Sequence, residues 1–340
     1  MKQQSIIKIS LIIKALNEEK NIASTIQSAI DALQGFSSEI ILADSYSTDR
    51  TVEIASQYNI RIVQITHPNE RCCGVGGQLG YQYATGEFVW LIDGDMTIEK
   101  SFLAHALKFL DDHPKTAGVG GRVVERNLES LEFRSRVQRA PKDLLPGLVD
   151  RLDGGGVYRR TAIDGLGYFT NRNLHAYEEY ELAVRLRSHD WELYRIDKVA
   201  VSHFGHQTEA YQLLLKRWQS GYVLGIGELF KSAIGKNYLT LLIKEVREIR
   251  VYAVVAIGWT VLGIILVFGL IYKHAISSYI LYFLITPFLG MIIKKKSIST
   301  GIYSVVSWHA YALGLIGGLL KKQTSPHLTI SSIEINNKIN

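Results

Sequence analysis

Cysteine is almost missing from this chain. Cys72 and Cys73 are the only two among 340 residues. Being adjacent, they supply neither a disulfide framework nor Cys-x-x-Cys zinc geometry, and they fit small, partly buried thiols in a reducing compartment. The Gly-rich segment Gly74 to Gly80 lacks the spacing of a dinucleotide site. A Gly-x-Gly-x-x-Gly match starting at Gly74 puts its third position on Leu79, so the glycine spacing fails. What remains is a loop shaped for a substrate, opening a helix that ends near Ala84. No recognised RNA-binding motif accompanies the net charge of +6, so nucleic acid is not an expected partner. No signal peptide is expected ahead of the first strand.

Charge is missing from three long runs near the end: Val251 to Tyr272, Ala275 to Ile293, and Ile298 to Leu320, where only His309 titrates. Each is long enough to cross a hydrocarbon core, for which about 20 residues suffice. Gly258, Gly263 and Gly269, like Gly314, Gly317 and Gly318, suit close helix packing in lipid. Lys244, Arg247 and Arg250 precede the first run and Lys294-Lys295-Lys296 follows the second, with only Lys273 between them, beside His274. The charge bias therefore puts the preceding domain and the Lys294 loop in the cytoplasm. Lys321 and Lys322 leave open whether the third run crosses or re-enters. Arg122, Arg126, Arg134, Arg136, Arg139, Lys142, Arg151, Arg159 and Arg160 suit anionic headgroups or a lipid phosphate, or form a solvated basic face.

What the first two thirds do contain is an alternation of strands and helices. Ile9 to Ile13, Glu39 to Asp44 and Arg61 to Ile65 read as strands. Glu19 to Leu33, with Asn17 as a cap, and Thr51 to Tyr58 read as helices, which predicts a doubly covered, mostly parallel sheet. The apolar run Phe88 to Ile92 then ends on Asp93-Gly94-Asp95. Ligands bind outside the carboxyl ends of such strands, and two carboxylates one residue apart can share a hard divalent cation whose other ligands are water and phosphate. The plainer alternative is a polar turn in which Asp93 caps the next helix.

Ile12 to Glu19, Ala43 to Thr51, Ala84 to Glu87 and Asp93 to Asp95, taken together, resemble the family 2 glycosyltransferases. The resemblance implies a GT-A nucleotide-diphospho-sugar transferase fold, an α/β domain, followed here by an all-α membrane domain. It implies that Ala15, Asn17, Glu18, Asp44, Gln78 and Asp93 hold the donor nucleotide, typically uridine, and that Asp95 binds Mg²⁺ or Mn²⁺. Lys14 stands where many members carry Pro, and Gln78 where many carry Asn or Arg.

Leu174 to His189 reads as a helix. In it Glu181 faces Arg185 four residues on, an ordinary surface pair, whereas Glu179 shares its face with Leu182, Ala183 and Leu186. A carboxylate on the apolar side is desolvated and its pKa rises, which makes Glu179 a candidate general base; a buried Glu paired with an arginine is the alternative. The resemblance places a Glu-Asp pair here whose second acid deprotonates the acceptor, so the role falls to Glu179, with Glu178 beside the acceptor. Attack from the face opposite the departing diphosphate inverts the anomeric carbon. By the same resemblance His203 adds a metal ligand, the other reading being a structural histidine. Arg217-Trp218 resembles the end of the Gln-x-x-Arg-Trp signature that surrounds the acceptor sugar in processive synthases, but Leu214 occupies the Gln position, which favours transfer of a single sugar.

The expected protein has a cytoplasmic catalytic domain over 1–235, a membrane domain over 236–322 and a mobile polar tail over 323–340. It is a multi-pass inner-membrane hexosyltransferase. Its partners are a nucleotide-diphosphate sugar donor, a lipid-linked or glycan acceptor and membrane lipids, in cell-envelope or exopolysaccharide synthesis. A processive synthase and a catalytically dead membrane scaffold are the alternatives.

Overall fold

The computed structural model of the protein describes residues 8–127, 144–205, 208–272 and 277–336. The expectations attached to Arg134, Arg136, Arg139, Lys142, Lys273 and His274 lie outside these residues. The chain divides into two units, Met1–Thr208 with Gln323–Asn340, and Glu209–Lys322.

In chain order the first unit runs β1 (Ile9–Ala15), α1 (Ile22–Ala32), β2 (Ser38–Asp44), α2 (Thr51–Ala55), β3 (Arg61–Ile65), α3 (Cys73–Tyr83), β4 (Phe88–Asp93), β5 (Met96–Ile98), α4 (Phe102–Asp112), β6 (Thr116–Glu125), β7 (Gly147–Val149), β8 (Gly156–Arg159), α5 (Arg160–Asp164), α6 (Glu178–Arg187) and β9 (Glu192–His203). It is completed by β10 (Ser332–Ile335). One mixed sheet has the order β10-β3-β2-β1-β4-β8-β6-β9-β5, with β7 also on β9. Its parallel centre, β3-β2-β1-β4, comes from the strand and helix alternation at the start of the chain. Successive β1 residues serve opposite faces. Ile9, Leu11 and Ile13 pack with Ile22, Ile26 and Ala29 of α1 and with α4, while Ile12 packs with Val75 and Leu79 of α3 and Leu182 and Leu186 of α6. Burying Ile22 or Ile26 contributes about 1.5–3 kcal/mol each.

Three expectations are corrected here. The glycines of Gly74 to Gly80 form no loop; they lie inside α3, buried. A methyl on Gly80 would overlap Ile12 Cγ2, and one on Gly77 would sit 2.7 Å from Thr170 Oγ1, so these positions are small to let α3 lie directly on β1 and on the 170–171 segment. Gly80→Ala overpacks that contact and is expected to destabilise the domain by about 1–3 kcal/mol; an unchanged melting temperature would show that the contact is slack. Asn21, not Asn17, stands at the start of α1, because Asn17 is in left-handed backbone (φ 59°) with its amide engaged elsewhere. The tail, expected to be mobile, supplies an edge strand: β10 pairs antiparallel with β3 and Arg61 forms a bidentate pair with Glu334.

The second unit is helical: α7 (Ala210–Gln219), α8 (Gly225–Ala233), α9 (Leu239–Glu245), α10 (Arg247–Tyr272), α11 (Ser277–Lys295) and α12 (Ile298–Leu320). It begins ahead of the expected boundary at 235 because α7 and α8 pack on α12. Among the described residues, Arg247–Gly269 and Ile298–Leu320 are long and apolar enough to cross a membrane, with mean hydropathies of 2.5 and 1.3. Gly314 and Gly318 approach the backbone of Val223 and Leu224 so closely that a side chain would clash, whereas Gly263 has nothing within 4 Å.

Candidate active site

Three parallel strands deliver the site. β1 pairs with β2 on one side and β4 on the other, setting Ala15 opposite Asp44 and Lys14 opposite Asp93. Opposed residues on neighbouring strands share a face, so the Lys14 ammonium meets Asp93 Oδ1 at 3.0 Å. The same ammonium lies 3.0 Å from Glu178 Oε1 at the start of α6.

On the β2 side, Asp44 is completely buried. Its Oδ2 accepts from Ser47 N and Gln64 Nε2, each at 2.8 Å, and its Oδ1 accepts from the Ser47 hydroxyl. Asn17 N donates to Ser47 Oγ at 2.8 Å and Asn17 Oδ1 accepts from Thr48 N at 2.8 Å, so the loops after β1 and β2 are laced into one rim. Tyr46, also in left-handed backbone (φ 67°), is exposed on this rim under the Arg71 guanidinium, 5.4 Å from the ring centre. Tyr46 lies within the Ala43 to Thr51 segment, but Arg71 carries no motif that marks it in the sequence. Ala15 is buried and its carbonyl accepts from Ser45 N at 2.9 Å. Gln78 is buried on α3 with its Oε1 accepting from Phe169 N at 2.8 Å, so that oxygen is engaged within the fold.

Asp95 follows β4. Its Oδ2 lies 3.2 Å from His203 Nε2, and its Oδ1 is buried without a hydrogen-bond partner. His203 closes β9 opposite Met96 of β5, in parallel register with Glu125 of β6, whose Oε2 takes the other ring nitrogen at 2.6 Å. Burial opposes a charge on this imidazole, but the hydrogen bonds to Asp95 and Glu125 outweigh it and push the pKa up to about 10. Glu125 escapes a reading of the sequence because only the register of two distant strands brings it to His203. Glu18 stands against Gly94; burial drives its pKa up to about 7 against a hydrogen bond from Asn21, and the charges of Asp95 and Asp93 push the same way.

An orphaned, buried carboxylate oxygen beside an imidazole nitrogen suits a divalent cation. Among the described residues no three His, Cys, Asp or Glu groups are gathered in metal-holding geometry. Asp95 and His203 would supply two ligands of a coordination shell completed by water and phosphate oxygens only with His203 giving up its proton as the cation binds.

Glu178 and Glu179 open α6, which the chain enters through Tyr177 in left-handed backbone (φ 67°). Both acids are buried, and Glu179 Oε2 has no hydrogen-bond partner. Burial pushes the Glu179 pKa up to about 8; Lys14 opposes the rise and Asp153, Asp93 and Glu178 add to it. The helix starts at Glu178, later than the expected Leu174. Glu181 and Arg185 do pair, at 2.9 Å, but the expected surface location is wrong: both are buried. Arg185 donates to the carbonyls of Tyr168 and Phe169 and lies over the Tyr168 ring, and Tyr168 OH donates to Glu181 at 2.6 Å, so the pair is an internal tie for the segment before α6.

Arg217 and Trp218 lie on α7, in the second unit. Arg217 donates to Tyr311 OH at 3.5 Å and stands 4.9 Å over the Tyr222 ring, while Trp218 is half exposed.

The glycosyl transferase family 2 profile matches residues 10–167, a span that holds β1, Asp44 and the Asp93-Gly94-Asp95 turn. Those residues are a family 2 glycosyltransferase domain. The chain is 32% identical over 134 residues to the poly(ribitol-phosphate) beta-N-acetylglucosaminyltransferase TarS of Staphylococcus aureus, which is 36% of this chain and 23% of that protein. It is 30% identical over 93 residues to a dolichol-phosphate mannosyltransferase of Pyrococcus furiosus, 26% of each. The chain thus spans about a quarter of the length of these curated relatives. The mannosyltransferase PcManGT of Pyrobaculum calidifontis, solved with GDP-Man and Mn²⁺, superposes with a TM-score of 0.57 at 17% identity, covering 92% of this chain and 87% of that one. The mixed sheet with its flanking helices is the GT-A fold of the family 2 enzymes, and it ends in helices apolar enough to span a membrane.

Proposed function

We propose that the chain is a membrane-anchored, inverting glycosyltransferase that moves one sugar from a nucleotide-diphosphate sugar to a lipid-linked or membrane-associated acceptor. The observation that carries this reading is a buried carboxylate oxygen without a hydrogen-bond partner, Asp95 Oδ1, in the family 2 domain, with a second, Glu179 Oε2, at the start of α6 just beyond the matched residues. Buried carboxylate oxygens left without partners are costly in a finished fold, and each is satisfied by one component of the reaction. Asp95 and His203 would hold the cation, and the rim formed by Asn17 and Glu18, braced from beneath by the buried Asp44 through Ser47, cradles the donor. A bound divalent ion supplies positive charge against the departing diphosphate. Glu179, with a pKa raised by burial, accepts the proton of the acceptor hydroxyl as its oxygen attacks the anomeric carbon. The relatives named above act on a polyol phosphate polymer and on a lipid phosphate, which supports an acceptor of that kind in cell-envelope glycan synthesis. The missing Gln at Leu214 disfavours a processive synthase. Released nucleotide, assayed across a panel of sugar nucleotides with purified protein and Mn²⁺, is expected for one donor; no release from any donor would defeat the reading.

Membrane anchorage is tested separately. The charge bias around the spans predicts that a reporter fused after Lys296 reads cytoplasmic. An external signal, or release of the protein by carbonate, would count against the anchorage.

A further inference from the structure

Lys14 is a buried cation, at the edge where β1, β4 and α6 meet, that the reaction scheme leaves without a task. Resting on the proposed function, we propose that Lys14 is a positioning residue: it ties the first turn of α6 to the end of β1 and so holds Glu179 in fixed relation to the donor-side carboxylate Asp93. The ammonium makes two contacts of 3.0 Å, to Asp93 Oδ1 and to Glu178 Oε1, from a side chain only 12% exposed. A lysine is costly to bury, and one bridging two carboxylates is held in place by both. Strand register explains the first contact, since Lys14 and Asp93 are opposed residues on parallel neighbours. Gly76 explains the path: a methyl there would lie 3.2 Å from Lys14 Cγ, so the bare backbone of α3 makes the channel through which the lysine stem runs. The second contact falls where α6 needs it. The helix begins directly after the left-handed Tyr177, a conformation that non-glycine residues adopt at a cost, and the bridge grips the next residue. Because Glu179 follows Glu178, fixing one fixes the other's backbone. The charge on Lys14 is secure, for although burial opposes it, Asp93, Glu178 and Glu179 raise its pKa well above the ordinary lysine value.

The test compares full-length parent, Lys14→Met, Glu178→Gln and the double variant. Displacing a catalytic group by about 1 Å costs up to about 100-fold in rate, so Lys14→Met is expected to lower kcat by about 10- to 100-fold while donor KM changes by less than about threefold. The double variant is expected to lose clearly less than the product of the two single losses, because both substitutions act on the Lys14–Glu178 link. In protein without substrates, amide hydrogen exchange at Glu179, Tyr180 and Glu181 is expected to quicken in Lys14→Met while the β1 and β2 amides stay protected. Unchanged kcat, fully multiplicative losses, or a raised donor KM with intact kcat would overturn the proposal, the last making Lys14 a donor ligand instead. If Lys14→Met does not fold, Glu178→Ala removes the same bridge from its other end and is read by the same criteria. If the parent transfers no sugar, the proposed function fails, and the exchange measurement still decides whether the tie exists.

Discussion

Asp95→Ala is expected to abolish sugar transfer and metal-dependent nucleotide binding while leaving the domain folded. Asp95 Oδ1 makes no hydrogen bond within the fold, and the imidazole that Asp95 Oδ2 contacts is also held by Glu125 at 2.6 Å. The substitution does remove one of the two acceptors that hold the charge on the largely buried His203, but Glu125 keeps the other ring nitrogen, so the domain should stay folded with a lowered melting temperature. The effect on a diphosphate is of another order. Without Asp95 the site keeps Asp93 and Glu18, acids that repel phosphate, and His203 is left as the sole member of the proposed metal pair. Losing several kcal/mol of charge stabilisation corresponds to more than about 10³-fold in rate, so transfer should fall to background. Titration of nucleotide with and without Mn²⁺ separates the two contributions: the parent should bind tightly only with metal, and the variant weakly in both. Undiminished turnover of the variant with chelator present would end the metal assignment.

The parts of this site legible in the sequence are those fixed by local order. Asp44 and Asp93 end apolar strands, and a strand's end in a parallel sheet is a position that composition and turn residues mark. The burial of Glu179 follows from spacing with Leu182, Ala183 and Leu186 on its face, but Glu178 and Glu181 are buried beside it, so spacing does not single it out. What was not legible depends on contacts between distant segments. Glu125 reaches His203 only through the β6 and β9 register, and Lys14 meets Glu178 across 164 residues of chain. The Glu181 and Arg185 pair shows the limit of spacing: four residues apart they are paired on any helix, but whether that helix face meets water depends on what packs over it, here the Tyr168 ring and backbone. The glycines of α3 mislead in the same way. Seven residues containing four glycines suggest a loop by propensity, yet the close approach to Ile12 and Thr170 that glycine permits is what lets a helix lie there. The C-terminal strand β10 was hidden by its length, since four residues that pair only at a sheet edge leave almost no periodic signal.

Glu179→Gln is expected to fold, to bind donor and metal as the parent does, and to lose most transfer, because the amide keeps the shape but accepts no proton. Loss of a general base costs about 10²- to 10⁴-fold in rate. Two pH measurements bear on the same carboxyl with opposite signs. For activity, the base must be ionised; with burial pushing its pKa up to about 8, parent turnover should rise with pH until about that value and then level off. For stability, a carboxyl whose folded pKa lies above its unfolded value of about 4.5 favours folding fully only below the unfolded pKa, and that contribution is lost as pH climbs through the folded value. The glutamine variant has no such loss, so above pH 8 it should melt at a higher temperature than the parent, the ordinary consequence of removing a buried charge that function requires. Glu178→Gln should cost less in rate than Glu179→Gln, since Glu178 acts through its bridge to Lys14 and not on the acceptor proton. If Glu178→Gln is the inactive variant while Glu179→Gln keeps near full turnover and the parent's rise toward pH 8, the base is Glu178, and the ammonium 3.0 Å away would have to give up that carboxylate during the reaction.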